Sequence, residues 1–403
     1  MSDEAVEGEY PKAPFRRVIP ALLLLASVFL LNFISRIIFS PLLPEIQQDM
    51  QLAHSVAGSF FLFISAGYFI SILLSGTVSS RLGHKWTIVV SAVGCGLMLS
   101  IVGFCTSVVA MRIAMFCLGY AAGLYLRSGL ATITRLVAPA YLARGVAIHE
   151  LAPNIGFVTA PLLSGIMLYY FSWREGLQIL GLILGCMGLI YALSGKDNGQ
   201  KETKKDFSLV RRLLVNPLFW LMVLLFSFAI CSTLGIYAML PLYLVTEQGM
   251  EHDAANRLVA LSRVSSVFMP LVAGWLGDRF GNSTVMLIVL FVAGILTIPL
   301  GIFTGFPLLV FVVLQPMVAV CFFPSGFAVL SGIGGMQAQG SAISLCIPLA
   351  FLIGGGAIPM VIGGVGDYYS LAAGFIGTGC FITFVAAGAF WFIWIGQKRA
   401  LFQ

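Results

Sequence analysis

Charge is scarce in this chain. Only 9% of its 403 residues are Asp, Glu, Lys or Arg, against roughly 25% in a soluble domain. Extended polar sequence is scarce too: beyond the first 17 residues, only GKDNGQKETKKDFSLVRR at 195–212 qualifies. With 59% hydrophobic residues and a mean hydropathy of +1.01, no water-soluble fold could cover so much apolar surface, which leaves a polytopic membrane protein. C-x-x-C pairs are missing. The eight cysteines all fall in apolar runs and are expected as small buried hydrophobes, neither disulfides nor metal ligands. P-loop, zinc-ligand spacing and nucleophile elbow are missing as well, so ATP-driven work, catalysis, a metal and a cofactor are not indicated. The net charge of +6 follows from where the basic residues sit and does not point to nucleic acid.

What is present is a series of apolar runs. Twelve recur, near 19–46, 54–79, 87–106, 109–136, 143–169, 173–193, 216–246, 253–277, 284–304, 307–333, 340–366 and 371–396. Each is long enough to cross a hydrocarbon core of ~30 Å as a helix. The first run is too long for a signal-peptide core and lacks a small-residue cleavage site, so it is expected to stay as the first span. The expected organisation is a tail at 1–17, a six-helix bundle at 18–194, a linker at 195–215, a second six-helix bundle at 216–397 and a tail at 398–403. If the N-terminus is cytoplasmic, cytoplasmic segments hold 16 of the 22 Lys and Arg residues, and this asymmetry puts both termini inside. A multi-pass protein of the bacterial inner membrane is expected.

The two sets of six runs repeat. GTVSSRLGHK at 76–85 matches GWLGDRFGNS at 274–283, Pro44 lies over Pro241, LRSG at 126–129 over FPSG at 323–326, and GVAIHELAP at 145–153 over GSAISLCIP at 340–348. The fold class expected is therefore an all-α membrane protein of twelve transmembrane helices. They form two six-helix bundles related by a pseudo-twofold parallel repeat, with a binding site at their interface near midplane.

The loops at 76–85 and 274–283 carry a resemblance to the major facilitator superfamily, whose pattern there is G-x-x-x-D-R-x-G-R/K-R/K. The second copy has Gly274, Asp278, Arg279 and Gly281; the first has Gly76, Arg81, Gly83 and Lys85, with Ser80 in place of the acid. The resemblance implies alternating access, with Gly76, Arg81, Gly83, Asp278, Arg279 and Gly281 as gating residues. GFVTAPLLSG at 156–165 resembles the family's G-x-x-x-G-P-x-x-G-G motif of proton-exchanging exporters; close helix packing through small residues is the other reading. NFISRIIFS at 32–40 is similar to the N-Y-x-D-R-x-x-x-S signature of the organic anion:cation symporter branch, with Ser35 in place of the Asp. That likeness implies organic anions as cargo.

Few charges lie within the spans: Arg36, Arg127 and Arg263 against the one well-embedded carboxylate, Glu150. A buried charge without a partner is expensive, so an anionic substrate is the simplest reason to keep the excess arginines. Across the repeat these charges align with neutral residues: Arg36 with about Thr233, Arg127 with Pro324, His149 with Ser344, Glu150 with Leu345 and Arg263 with about Ser65. Helical spacing puts Asn32, Arg36 and Ser40 on one face, Gly119, Gly123 and Arg127 on another, the two glycines leaving room beside the guanidinium, and Glu150 with Asn154 on a third. Arg127 lies roughly 14 Å, and Glu150 roughly 10 Å, from the same end of consecutive helices, within reach of each other as a resting pair or a proton-operated switch. His149 is about 100° round the helix from Glu150 and is either a packed histidine or a proton carrier. The candidate substrate-binding residues are Arg36, Arg127, Arg263, Asn32, Asn154, Tyr68, Tyr237 and Gln315; the candidate proton-coupling residues are Glu150 and His149. The function expected is a monomeric secondary transporter, in the lipid bilayer, of a small organic anion with protons as coupling ion. Three alternatives stand: a proton-driven exporter of drug-like or siderophore-like compounds, a transporter-like sensor or scaffold, and an anion exchanger that uses no protons.

Overall fold

A computed structural model describes residues 15–195, 212–333 and 339–401. The central part of the expected linker, most of the N-terminal tail and the last two residues lie outside them. Among the described residues, eleven helices are long and apolar enough to cross a membrane. They are α1 (Phe15–Met50), α2 (His54–Phe104), α3 (Val108–Leu136), α4 (Pro139–Tyr170), α5 (Trp173–Ser194), α6 (Pro217–Thr246), α7 (His252–Phe280), α8 (Asn282–Ile302), α9 (Gly305–Ser331), α10 (Ala342–Tyr368) and α11 (Leu371–Phe392). No strand occurs among the described residues. In lipid, a backbone must satisfy its own hydrogen bonds, and runs of this length do so as helices. Side chains help where the ends emerge. Ser107 accepts from the amide of Ala110 at the start of α3, and Ser172 and Glu175 form a capping box at the start of α5.

The runs expected at 54–79 and 87–106 form one continuous helical element, α2, with a break at Gly83, whose φ of 80° and ψ of 160° are not helical. Gly281, 198 residues on, takes φ 87° and ψ 132° between α7 and α8. Both positions need a left-handed backbone that a side chain disfavours, and their separation equals the sequence offset of the repeat. Helices α2 and α3 press together where a Cβ on Gly119 would strike the carbonyl of Ile64 and one on Gly123 would meet Ser71 and the Tyr68 carbonyl. The two glycines thus serve close packing and do not leave the room expected beside Arg127, because the α2 backbone fills it.

Apolar side chains face outward as well as inward. Leu97, Ile101 and Phe104 on α2 and Ile155, Leu162 and Ile166 on α4 are exposed, as expected for a surface covered by lipid. This corrects the expectation for cysteine: Cys95, Cys105, Cys231, Cys321 and Cys346 are buried, but Cys117, Cys186 and Cys380 are exposed, and all eight are free. An apolar neighbourhood in sequence fixes the depth of a residue but not whether lipid or protein covers it.

The first and second halves of the chain meet at the end that carries the turns near 51, 250 and 369. There Ser40 Oγ donates to the Tyr237 carbonyl at 2.6 Å, and His252 Nε2 donates to the Pro41 carbonyl at 2.8 Å. The carboxylate of Asp367 accepts the backbone amides of His54 at 2.6 Å and Ser55 at 3.0 Å. The Gly83 and Gly281 turns lie at the opposite end.

Candidate functional site

Arg36 sits within α1, one turn from the buried polar pin of that helix. Asn32 donates to Ser91 Oγ at 3.1 Å and to the Ala122 carbonyl at 3.3 Å, tying α1 to α2 and α3. With Asn32 held there and Ser40 turned to Tyr237, Arg36 is the member of that polar stripe that reaches the centre. It lines a small cavity of about 30 Å³ with Phe33, Ser65, Tyr68, Tyr237 and Phe351. That is room for about two waters.

The guanidinium of Arg36 lies 4.3 Å from the ring centre of Tyr68 and 5.2 Å from that of Phe33. Arg263, on α7, repeats the arrangement: its guanidinium lies 4.9 Å from the ring centres of both Tyr237 and Phe157. Arg36 is 8% and Arg263 2% exposed. Arg263 Nη2 donates to the Thr233 carbonyl at 2.9 Å, but the Nε of each arginine, and the hydroxyls of Tyr237 and Ser266, have no hydrogen-bond partner. Among the described residues neither arginine makes an ion pair; the pairs found are His149–Glu150, Arg174–Asp49, His252–Glu45 and Arg257–Asp253. Each cation–π contact returns only about 0.5–2 kcal/mol, less than the cost of burying a charge. The two boxes touch through aromatic rings, Phe33 against Phe157 at 5.0 Å and Phe157 against Tyr237 at 5.1 Å.

Glu150 and His149 lie beside this group. His149 is 1% exposed and stacks on Phe29 with ring centres 4.3 Å apart. Its Nδ1 is 3.1 Å from Glu150 Oε1, and its Nε2 is 3.0 Å from the hydroxyl of Tyr125. Sequence spacing left His149 about a third of a turn from Glu150; the side chains bend toward each other and close that gap. Glu150 is 49% exposed, and Tyr68 lies within electrostatic reach of both it and Arg36. Arg127 is partly buried and interacts with another part of the protein.

Other candidates are engaged elsewhere. Gln315 Nε2 donates to the Ser232 carbonyl at 2.8 Å and to Thr297 Oγ1 at 3.3 Å, holding α9 to α6 and α8. Asn154 Nδ2 donates to the Glu150 carbonyl at 3.2 Å within its own helix. Arg81, Asp278 and Arg279 are exposed beside the two turns, Gly76 is partly buried one turn before Arg81, and no ion pair links these charges among the described residues. Three residues escaped the sequence reading: Tyr125, Phe33 and Phe157. A tyrosine two positions before a mid-span arginine was a signal for the first; nothing in sequence separates the two phenylalanines from the other 30. No cluster of three or more His, Cys, Asp or Glu residues that could hold a metal is found among the described residues.

The family model described as Major Facilitator Superfamily matches residues 25–269. The chain is 25% identical over 331 residues, 75% of its length and 72% of the relative's, to the membrane sensor protein UhpC of Salmonella typhimurium. It is 25% identical over 282 residues, 63% of its length and 62% of the relative's, to the probable sulfoacetate transporter SauU of Cupriavidus necator. In structure it is similar to a bacterial homolog of the human lysosomal transporter Spinster, in the inward-facing and unoccupied conformation. The TM-score is 0.79 at 16% identity, covering 94% of this chain and 96% of that one, a likeness of fold.

Proposed function

The chain belongs to the Major Facilitator Superfamily, and from that premise we propose that it carries a small organic anion of the carboxylate or sugar-acid type, coupled to protons, by alternating access. It is a multi-pass integral membrane transporter, not an enzyme. In our reading α2 crosses twice, folding back at Gly83. At 51 residues and ~1.5 Å each it is far longer than a ~30 Å core needs. Twelve crossings result, six in each half, with both termini on the basic, cytoplasmic side. The closed end is then the outer one, and Arg36 and Arg263 stand on opposite sides of the pathway, one in each half.

One observation carries the reading: two buried arginines, one per half, each boxed by a tyrosine and a phenylalanine, with Nε unpartnered. An arginine offers a planar fork that suits carboxylate, sulfonate or phosphate oxygens. An anion held by both would draw the halves together. The relative named as a probable sulfoacetate transporter supports the choice of cargo.

The test is thermal stability of the purified protein with added sulfoacetate, hexuronates and simple carboxylates, wild type against Arg36→Gln and Arg263→Gln. Binding is expected to raise the wild-type Tm. Each variant should bind about 10–100-fold more weakly, the loss of one charge-assisted hydrogen-bonding group. A wild type that no anion stabilises, or variants that respond in full, would overturn the reading. The relative named a membrane sensor favours a second reading, in which the same site binds an anion without transporting it. Uptake of a stabilising anion into proteoliposomes separates the two.

A further inference from the structure

The contacts around His149 fix more than its position; they fix a proton count. Tyr125 has one hydroxyl hydrogen, and that hydrogen goes to the Leu25 carbonyl, 2.9 Å away, which can only accept. The 3.0 Å contact between Tyr125 and His149 Nε2 therefore has the imidazole as donor. With the Nε2 hydrogen committed, the 3.1 Å approach of Nδ1 to Glu150 Oε1 needs a second hydrogen. That hydrogen sits on Nδ1 of an imidazolium facing a carboxylate, or on a carboxylic acid facing a neutral ring. Without it, the Nδ1 lone pair faces a negatively charged oxygen.

We propose that Tyr125, His149 and Glu150 form one proton-binding unit in which Tyr125 sets the tautomer of His149, so that His149 and Glu150 stay together only while a single proton lies between them. The inference rests on the proton-coupled reading above and names the site and its positioning residue. Its surroundings suit the task. Phe29 lies parallel to both rings, within 8° for Tyr125 and 5° for His149, holding the donor directions in one plane. An aromatic face also tolerates the imidazolium form. Helix α1 brings Leu25 and Phe29, which do not titrate, α3 brings Tyr125, and α5 brings Tyr191, in electrostatic contact with Tyr125. Arg127, two residues beyond Tyr125, is the charged group that α3 adds nearby, and it is engaged within the protein. Glu150 is the half-exposed member, so the proton enters and leaves on its side of the unit. Once it has left, repulsion from Nδ1 turns the carboxylate away. A negative charge then stands free beside the cavity that holds Arg36 and Tyr68, where it competes with an anionic cargo.

The test needs no cargo. Nitrogen-15 spectra of the four histidines are followed with pH in purified protein, with the His149 resonance identified by its loss in His149→Gln. Wild type is expected to carry hydrogen on Nε2 at all pH values where it is neutral. In Tyr125→Phe the tautomer should become mixed, and the midpoint of the Nδ1 step should move by about 1 pH unit, a tenfold change in proton affinity. Glu150→Gln should move that midpoint as well. A wild-type ring whose hydrogen sits on Nδ1 alone, or a Tyr125→Phe protein of normal Tm whose midpoint and tautomer are unchanged, would overturn the proposal. Because these spectra are recorded without an anion, failure of every anion to stabilise the protein would strike the cargo reading and leave the proton unit standing.

Discussion

The two halves of this chain share a backbone plan and divide the chemistry between them. Gly83 and Gly281 turn the chain with the same left-handed geometry. Beside those turns His84 meets Ser128 at 3.3 Å, while Asn282 and Ser325, at the corresponding positions, both pack against Gly277, with Ser325 Oγ left without a hydrogen-bond partner. These matched features are architecture. The arginine boxes differ in a telling way. In the first half the arginine is on α1 and its tyrosine on α2; in the second the arginine is on α7 and its tyrosine on α6. Each arginine thus occupies the place where the other half has a neutral residue, Thr233 or Ser65. The proton unit has no counterpart either, since Ser344 and Leu345 stand where His149 and Glu150 do. Where the halves agree, packing explains the residue; where they disagree, the proposed anion and proton sites are found.

Three experiments bear on this division, beginning with the largest effect. Glu150→Leu puts into the first half what the second half already carries. The protein should fold with a nearly unchanged Tm, and uptake driven by a pH gradient should fall to the level of liposomes without protein. A misfolded variant would show that Glu150 is architectural and break the comparison. Next, Asp367→Asn weakens the contact by which the second half caps the start of α2. Losing a charge-assisted hydrogen bond of about 1.5–3 kcal/mol should shift the closed end toward opening by roughly 10–150-fold. Spin labels at Gln51 and Tyr369, in a cysteine-free background, should then report a longer distance; an unchanged one would place the closing energy elsewhere. Smallest, Gly83→Ala and Gly281→Ala should each cost about 1–3 kcal/mol for a positive-φ, extended backbone that glycine alone adopts readily, seen as similar small drops in Tm. Unequal drops would show that the turns are not equivalent.

Much of the molecule was legible in sequence because lipid leaves few choices. An apolar run of twenty residues must be a helix, and a charge within it stands out against its background. So the helical character of the runs, the repeat offset that Gly83 and Gly281 share, and the isolation of Arg36 and Arg263 could be read from residue order, whereas the joining of the runs at 54–79 and 87–106 into α2 could not. The direction in which a polar side chain reaches could not. Asn32 and Arg36 lie on one helical face, yet Asn32 is spent on Ser91 and Ala122 while Arg36 enters the cavity. Gln315 looked equally available and is bound to Ser232 and Thr297. Helical period gives an angle about one axis, and the neighbour at that angle belongs to another part of the chain.

By itself, then, the sequence determined that the chain is a helical membrane protein with an internal repeat and more embedded positive than negative charge. These follow from composition, run length and offset, which are properties of the chain read in order. Only the tertiary structure decided that each central arginine is boxed by one tyrosine and one phenylalanine, that Phe157 of the first half covers Arg263 of the second, and that Tyr125 reaches both the Leu25 carbonyl and Nε2 of His149. Those are contacts between residues far apart in sequence, set by how close the helices pack, and a hydrogen-bond count exists only once the donors and acceptors have been brought together.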